Sequence, residues 1–282
     1  MGVEILMSTY NGERFISEQL DSIVNQTVSA HITVRDDGST DSTLDIIKKY
    51  NDISLIKGSN VGSTESFLRL IEVAPENDYY AFCDQDDLWD QDKLECAINM
   101  LDKYNSIPAI YSSNTRFVDK ELVFIKNEEK KPRIDLGSAI VKNYATGCTV
   151  VFNGLLMNEL KKKHPDSISY HDWWANLVCL SVGGVSLFDM TPHISYRQHG
   201  DNSVGGNESL LKKWNHRLKR FKSPYHRDNM AKQLLDIYSN KISDENKELL
   251  RSLINGKFDK RLQTGNMLDD ILFRVCLMLK KY

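Results

Sequence analysis

Between residues 3 and 83 the chain sets four short apolar runs apart with three longer amphipathic ones, and this alternation constrains its fold more than any other feature. Residues 3–8 are almost continuously apolar and read as a buried strand. Residues 13–26 place Ile16, Leu20, Ile23 and Val24 on one helical face. Residues 31–35 form a second strand, and Ser39-Thr40-Asp41-Ser42 caps a helix running to Tyr50. Ile53–Lys57 is a third strand, Gly62 a turn, Ser63–Val73 a helix and Tyr79–Cys83 a fourth strand. Strand–helix repetition of this kind predicts an α/β fold, with a mainly parallel sheet covered by helices on both faces. Ligands of such sheets bind at the carboxyl ends of the strands. Every polar cluster singled out below falls at such an end.

The second half is less regular. Ala109–Ser113 reads as a strand and 115–125 as a strand or hairpin, followed by a charged loop over 127–133. Residues 149–153 and Val185–Asp189 read as further strands, with a helix over 171–180 between them. From residue 207 the pattern is purely helical: Leu210, Leu211, Trp214, Leu218 and Phe221 share one face, as do Leu268, Ile271, Leu272, Val275 and Leu279. The expected organisation is therefore a catalytic unit over 1–206, with a nucleotide-binding half (1–105) and an acceptor half (106–206), and a helical extension over 207–282.

Composition narrows the function classes. A net charge of −3 argues against a general nucleic-acid binder, whose domain is strongly basic. Five widely spaced cysteines without a C-x-x-C pair argue against zinc and against a disulfide framework, and fit a reducing compartment. No basic leader precedes the first strand and no apolar run approaches the ~20 residues a membrane span needs, so a cytoplasmic protein is expected.

The strongest chemical signal is Cys83-Asp84-Gln85-Asp86-Asp87-Leu88-Trp89, which puts three carboxylates into four positions directly after a strand. Like charges so close cost energy unless a cation offsets them, and hard oxygen ligands suit Mg²⁺ or Mn²⁺. The plainer reading is an acidic turn ahead of the helix at 92–101. Asp36-Asp37-Gly38-Ser39 follows the second strand, where a carboxylate can bind a base or ribose or can serve as an ordinary strand–turn–cap. The first strand ends in Ser8-Thr9-Tyr10-Asn11-Gly12-Glu13, whose Tyr10 can stack on a base.

Taken in order, Ser8-Thr9-Tyr10-Asn11, Gln26-Thr27, Asp36-Asp37-Gly38-Ser39-Thr40-Asp41 and Asp84-Gln85-Asp86-Asp87 resemble the motifs of family 2 glycosyltransferases. Thr146-Gly147-Cys148, His171-Asp172-Trp173-Trp174 and Tyr196-Arg197-Gln198-His199-Gly200-Asp201-Asn202 resemble the branch of bacterial rhamnosyltransferases and related polysaccharide enzymes. The resemblance covers 3 to about 205 and implies the GT-A fold, a nucleotide-sugar donor and inversion at the anomeric carbon. It implies that Asp86 binds the metal, Mn²⁺ or Mg²⁺, and that Asp84 contacts the ribose or orients the site. Ser8, Tyr10 and Asp37 are expected on the nucleotide, Arg197 on diphosphate oxygens, and His199 on the metal or the diphosphate; without the resemblance, residues 196–198 read as an ordinary strand with exposed polar ends. Asp172 matches the family's base, although many relatives carry Glu-Asp where this chain has His171-Asp172. His171 is then open to three roles: the base itself, a residue orienting Asp172, or a partly buried helix-start histidine. Trp173 and Trp174 are expected either to wall the acceptor subsite or, for at least one of them, to pack the core.

The resemblance further implies dTDP-rhamnose as donor, with a UDP-hexose such as UDP-glucose or UDP-galactose as the alternative. The implied acceptor is a saccharide or lipid-linked glycan of a bacterial surface polysaccharide. A non-catalytic nucleotide-sugar-binding module is a rival from another class, opposed by the retained Asp84, Asp86 and Asp172. Dinucleotide and P-loop enzymes fail on their glycine signatures, and a processive synthase fails on its missing Gln-x-x-Arg-Trp motif and membrane spans. Finally, Lys212, Lys213, His216, Arg217, Lys219, Arg220 and Lys222 surround the apolar stripe of 210–221. That pattern fits peripheral contact with an anionic membrane at the inner face of the plasma membrane, or a packing or homodimer surface.

Overall fold

The computed structural model describes residues 1–166, 168–198 and 227–279. The strands are β1 (Val3–Thr9), β2 (His31–Asp36), β3 (Ile53–Lys57), β4 (Tyr79–Cys83), β5 (Leu88–Trp89), β6 (Ala109–Ser113), β7 (Arg116–Val118), β8 (Phe124–Asn127), β9 (Val151–Asn153), β10 (Val185–Asp189) and β11 (Ile194–Arg197). Among them run the helices α1 (Ile16–Val24), α2 (Thr43–Ile47), α3 (Ser63–Val73), α4 (Lys93–Leu101), α5 (Leu136–Val141), α6 (Gly154–Leu160) and α7 (His171–Ser181). Beyond the undescribed stretch come α8 (Arg227–Tyr238), α9 (Asp244–Ile254) and α10 (Met267–Met278).

A seven-stranded sheet in the order β10-β6-β9-β4-β1-β2-β3 forms the centre. All its pairings are parallel except those of β9, which runs antiparallel to both β4 and β6. A second, four-stranded sheet has the order β5-β11-β7-β8; β5 directly follows β4 in the chain and β7 follows β6.

Side-chain alternation along β1 sorts the core into two layers. Leu6 joins the cluster built on α3, α5, α6, α7 and the C-terminal helices, whereas Val3, Ile5 and Met7 join the one built on α1 and α4. Met230, Leu234, Leu250, Leu253 and Phe273 lie in the first cluster, so α8–α10 share their core with α7 and the sheet. Glu4, fully buried in β1, is satisfied by His31 Nδ1 (2.9 Å), Thr33 Oγ1 (2.6 Å) and Asn77 Nδ2 (3.1 Å).

Several expectations need correction. Helix α1 starts only at Ile16, after a turn in which Phe15 N and Ile16 N bond Gly12 O, and Val24 at its end is exposed. Helix α2 stops at Ile47; Tyr50 instead turns back to donate to Ser17 O. On α10 the predicted stripe faces outward: Leu268, Ile271, Val275 and Leu279 are exposed, while Phe273, Cys276 and Leu277 are buried and Leu272 is partly so. That helix is apolar on nearly every side, so its neighbours decide which side is covered. The stripe and basic cluster of 210–222, and His199, lie outside the described residues. Among the described residues no helix is long and apolar enough to cross a membrane, and the cysteines are free.

Candidate active site

The acidic loop between β4 and β5 is tied down from both sides. Gln85 accepts at Oε1 from Thr9 Oγ1 (2.6 Å) and Tyr10 N (2.9 Å) and donates through Nε2 to Tyr10 O (3.1 Å), clamping this loop to the end of β1. A Cβ on Gly12 would sit 2.2 Å from Gln85 Oε1, so glycine is needed for that clamp. Behind the loop, Arg197 donates from its backbone N to Asp87 Oδ1 (3.1 Å) and from Nε to Asp86 O (3.0 Å). Its Nη1 bonds Lys120 O (2.8 Å), its Nη2 pairs with Glu18, and the guanidinium lies over the Phe15 ring. Arg197 is buried with these partners, so the expectation that it binds diphosphate oxygens is corrected: it holds the acidic loop in shape.

Charge in this loop is not balanced locally. Burial pushes the Asp84 carboxyl up, and the Asp86 and Asp172 carboxylates push it further, against the pull of Lys93. Asp87 is raised well above the usual carboxylate range by burial and by the Asp86 and Asp84 carboxylates, against hydrogen bonds from Arg197 N and the Cys148 thiol. The counter-charge beneath the loop is Lys93, itself buried, held over the Trp89 ring at 3.1 Å and depressed to about 8 by that burial. Ligand atoms of Asp84, Asp87 and Cys148 lie within 4.8 Å of one another. Three crowded carboxylates, Asp84, Asp86 and Asp87, with only buried Lys93 beneath them suit a divalent cation, so the carboxylates of this loop fit one.

Opposite this loop stands Asp172, the second residue of α7. Its carboxyl is pushed up to about 6 by burial, offset by hydrogen bonds from Trp173 N (2.6 Å to Oδ1), the Asn143 side chain and Gly147 N, and by the charge of Lys130. Lys130 is anchored on Thr146 Oγ1 (2.7 Å) and paired with Glu128. A Cβ on Gly147 would come within 3.4 Å of Asp172 Oδ2 and 3.3 Å of His171 Nε2, which explains a glycine at this close approach. His171 is stacked on Phe67 (3.7 Å between centroids) and edge-on to Phe82 (4.8 Å), and burial depresses it to about 3. It is a neutral ring packed in an aromatic slot.

Asp84, Gly147, His171, Asp172 and Tyr196 line a cavity of about 510 Å³, together with Gly62, Thr64 and Ile168. Other predicted residues lie away from it. Trp173 and Trp174 are 3% and 1% exposed, the first donating to Ala139 O (2.6 Å) and the second packed near Tyr238; the expected acceptor wall is corrected to core. Asp37 is buried, pairs with Arg35, and accepts from Val61 N (3.0 Å) and Gly62 N (2.9 Å). Its oxygens thus hold the turn before α3. Ser8 Oγ donates to Ser66 Oγ (2.7 Å), and Tyr10 is exposed. Sequence reasoning missed Gln85, Lys93, Asn143 and Lys130. The first two lie within or beside the acidic motif; no local pattern marks the other two.

The chain matches the profile of Glycosyl transferase family 2 over residues 4–156. It is 32% identical over 244 residues to the dTDP-rhamnosyl transferase RfbG of Shigella flexneri, spanning 80% of this chain and 82% of that one. The chain belongs to glycosyl transferase family 2. Among other relatives of this glycosyltransferase is the Escherichia coli UDP-Glc:alpha-D-GlcNAc-diphosphoundecaprenol beta-1,3-glucosyltransferase WfgD, 26% identical over 75% of this chain and 83% of the relative. Its fold is that of Staphylococcus aureus TarS 1–349 solved with UDP (TM-score 0.61, 17% identity, 91% of this chain and 71% of that one). A mannosyltransferase from Pyrobaculum calidifontis, solved with GDP-Man and Mn²⁺, also superposes (TM-score 0.57, 19% identity, 99% and 80%). The glycosyltransferase thus has the GT-A fold, as the order of its motifs implied.

Proposed function

We propose that this family 2 glycosyltransferase moves a sugar, with inversion, from a nucleotide-sugar to a saccharide or lipid-linked acceptor in bacterial surface-polysaccharide synthesis. The observation that carries the proposal is that Asp172 and Asp84 line one cavity, where burial raises both carboxyls and the Asp172 charge raises Asp84 further. A raised, buried carboxylate with ordered hydrogen-bond donors is suited to take the proton of an acceptor hydroxyl near neutral pH. Asn143 and the Gly147 amide fix its orientation, and Lys130 stabilises its ionised form. His171 positions Asp172 by filling the aromatic slot at the start of α7. A divalent cation, Mn²⁺ or Mg²⁺, held by Asp84 and Asp86 would neutralise charge on the leaving nucleoside diphosphate. Ser8, Tyr10 and the turn held by Asp37 would then border the nucleotide, with Asp37 acting through the backbone it positions.

The donor we propose is dTDP-rhamnose, supported by the similarity to the Shigella protein, whose name specifies that donor. A UDP-hexose is the second reading, supported by the lower-identity Escherichia coli relative. The basic run over 212–222 supports peripheral attachment to an anionic membrane carrying the acceptor. The test is a panel of nucleotide-sugars screened with Mn²⁺ for thermal stabilisation and then for transfer. The reading expects dTDP-rhamnose to give the largest shift and to be consumed; selective turnover of UDP-glucose would reassign the donor, and turnover of none would leave a binding module.

A further inference from the structure

A second cluster with ligand chemistry lies outside the cavity, where the start of α4 meets the loop between β10 and β11. Asp92 and Cys96 are one helical turn apart and therefore on the same face, with Cys96 N bonded to Asp92 O (2.8 Å). His193 reaches them from the other end of the sequence. Its carbonyl accepts from Asp90 N (3.1 Å), and the next residue, Ile194, pairs with Trp89. The backbone of His193 is thus fixed two residues away from Asp92. Its ring is 8% exposed as a residue and lies between two carboxylates: Nδ1 is 3.2 Å from Asp92 Oδ1 and Nε2 is 3.5 Å from Asp189 Oδ2. Cys96 Sγ lies 3.5 Å from Asp92 Oδ2, and the three ligand atoms of Asp92, Cys96 and His193 all fall within 4.8 Å of one another.

His193 and Cys96 each approach Asp92, through its two oxygens, and a small closing of the 4.8 Å triangle brings one atom from each residue to what a tetrahedral ion requires. Metal–nitrogen, –oxygen and –sulfur bonds of ~2.0–2.3 Å put neighbouring ligand atoms roughly 3.3–3.8 Å apart. One sulfur, one imidazole nitrogen and one carboxylate oxygen form a borderline-soft set, which selects Zn²⁺ or a similar transition metal over Mg²⁺ or Ca²⁺. Asp189 supplies what a bare ion pair would lack. In the metal-free ring Nδ1 donates to Asp92; an ion would displace that proton, and the Asp189 carboxylate beside Nε2 favours keeping the remaining ring proton there. Asp189 is itself oriented by Thr191 N (2.7 Å) and the Tyr111 hydroxyl (3.3 Å). Half-exposed Asp92 gives the ion a route in from solvent.

We propose that Asp92, Cys96 and His193 form a transition-metal site, with Asp189 orienting the histidine and a water completing the fourth position. Sequence spacing argued against zinc because it looks for ligands close together, whereas this site joins 92–96 to 193 across the fold. Its effect is structural. Helix α4 follows the acidic loop and β11 carries Arg197, which shapes that loop, so one ion here pins the two segments that frame the Asp84–Asp87 turn.

The test is to titrate the metal-free full-length protein with Co²⁺ and follow the thiolate-to-cobalt charge-transfer band, with thermal unfolding in Zn²⁺ alongside. Cys148 is a second thiol near carboxylates, so Cys148→Ser is the control. The proposal expects a one-equivalent band and a Zn²⁺-dependent rise in Tm in the native protein and in Cys148→Ser. Both should be absent in Cys96→Ser, and the band should weaken at least tenfold in apparent affinity in Asp92→Asn, a change at a half-exposed side chain. A band that survives in Cys96→Ser, disappears in Cys148→Ser, or never forms in the native protein would overturn it.

Discussion

The loops that follow β2 and β4 look alike as text and differ as chemistry. Each comes off the carboxyl end of a central parallel strand, and each is dense in aspartate. After β2 the carboxylates are used within the fold. Asp37 pairs with Arg35 and accepts from two backbone amides, and Asp36 Oδ2 accepts from Gly38 N (3.1 Å) and Ser39 N (2.9 Å). After β4 the carboxylates raise one another. Carboxylates paired with a guanidinium and backbone amides build a turn; carboxylates crowded against one another store a free-energy cost that a cation or a proton transfer can release.

That contrast fails first if Asp172 is not the group doing chemistry. Asp172→Asn keeps the shape and removes the basicity, so kcat should drop by ~10²–10⁴ with donor affinity nearly unchanged. In the native enzyme kcat/KM should fall about tenfold per pH unit below about 6, because the base must be ionised and burial places its carboxyl there. Rapid-quench kinetics across pH checks both, and an Asp172→Asn enzyme with native kcat would end the assignment.

The β2 loop is probed next, by stability. Asp37→Ala leaves the buried Arg35 charge without its partner and frees the turn before α3, so unfolding free energy should fall by ~3–5 kcal/mol in urea titration. The smallest effect has the opposite sign. The Asp84 carboxyl is raised above its unfolded value, so the folded state holds its proton more tightly and ionisation at pH 7 costs stability, a cost that disappears as pH falls below the unfolded value near 4. Asp84→Asn should therefore raise the stability of the metal-free protein at pH 7 by roughly 1 kcal/mol, discounted for its partly exposed edge, while transfer is lost. Destabilisation by Asp84→Asn in the same titration would mean that the two loops are alike after all.

Much of the scaffold was legible because periodicity reports burial. The strands from β1 to β4 and helix α3 stand within a residue of where apolar runs and turn signals placed them. What was not legible depends on partners far along the chain. Burial of Trp173 and Trp174 is decided by Ala139 and by Tyr238 on α8, and the outward turn of the α10 stripe by what covers its other side. A Tyr-Arg-Gln run cannot announce that Arg197 spends its donors on Lys120, Glu18 and Asp86. Nor does any run of residues show that β9 enters the sheet antiparallel, since its apolar content suits either direction.

The account rests most heavily on the claim that the β4 loop, and not the β2 loop, holds a catalytic cation. Mn²⁺ binding in the presence of the matching nucleoside diphosphate, followed by electron paramagnetic resonance, tests it directly in the native protein, Asp86→Asn and Asp36→Asn. The account predicts one tightly held Mn²⁺ in the native protein and in Asp36→Asn, and at least tenfold weaker binding in Asp86→Asn. Undiminished Mn²⁺ affinity in Asp86→Asn would contradict it.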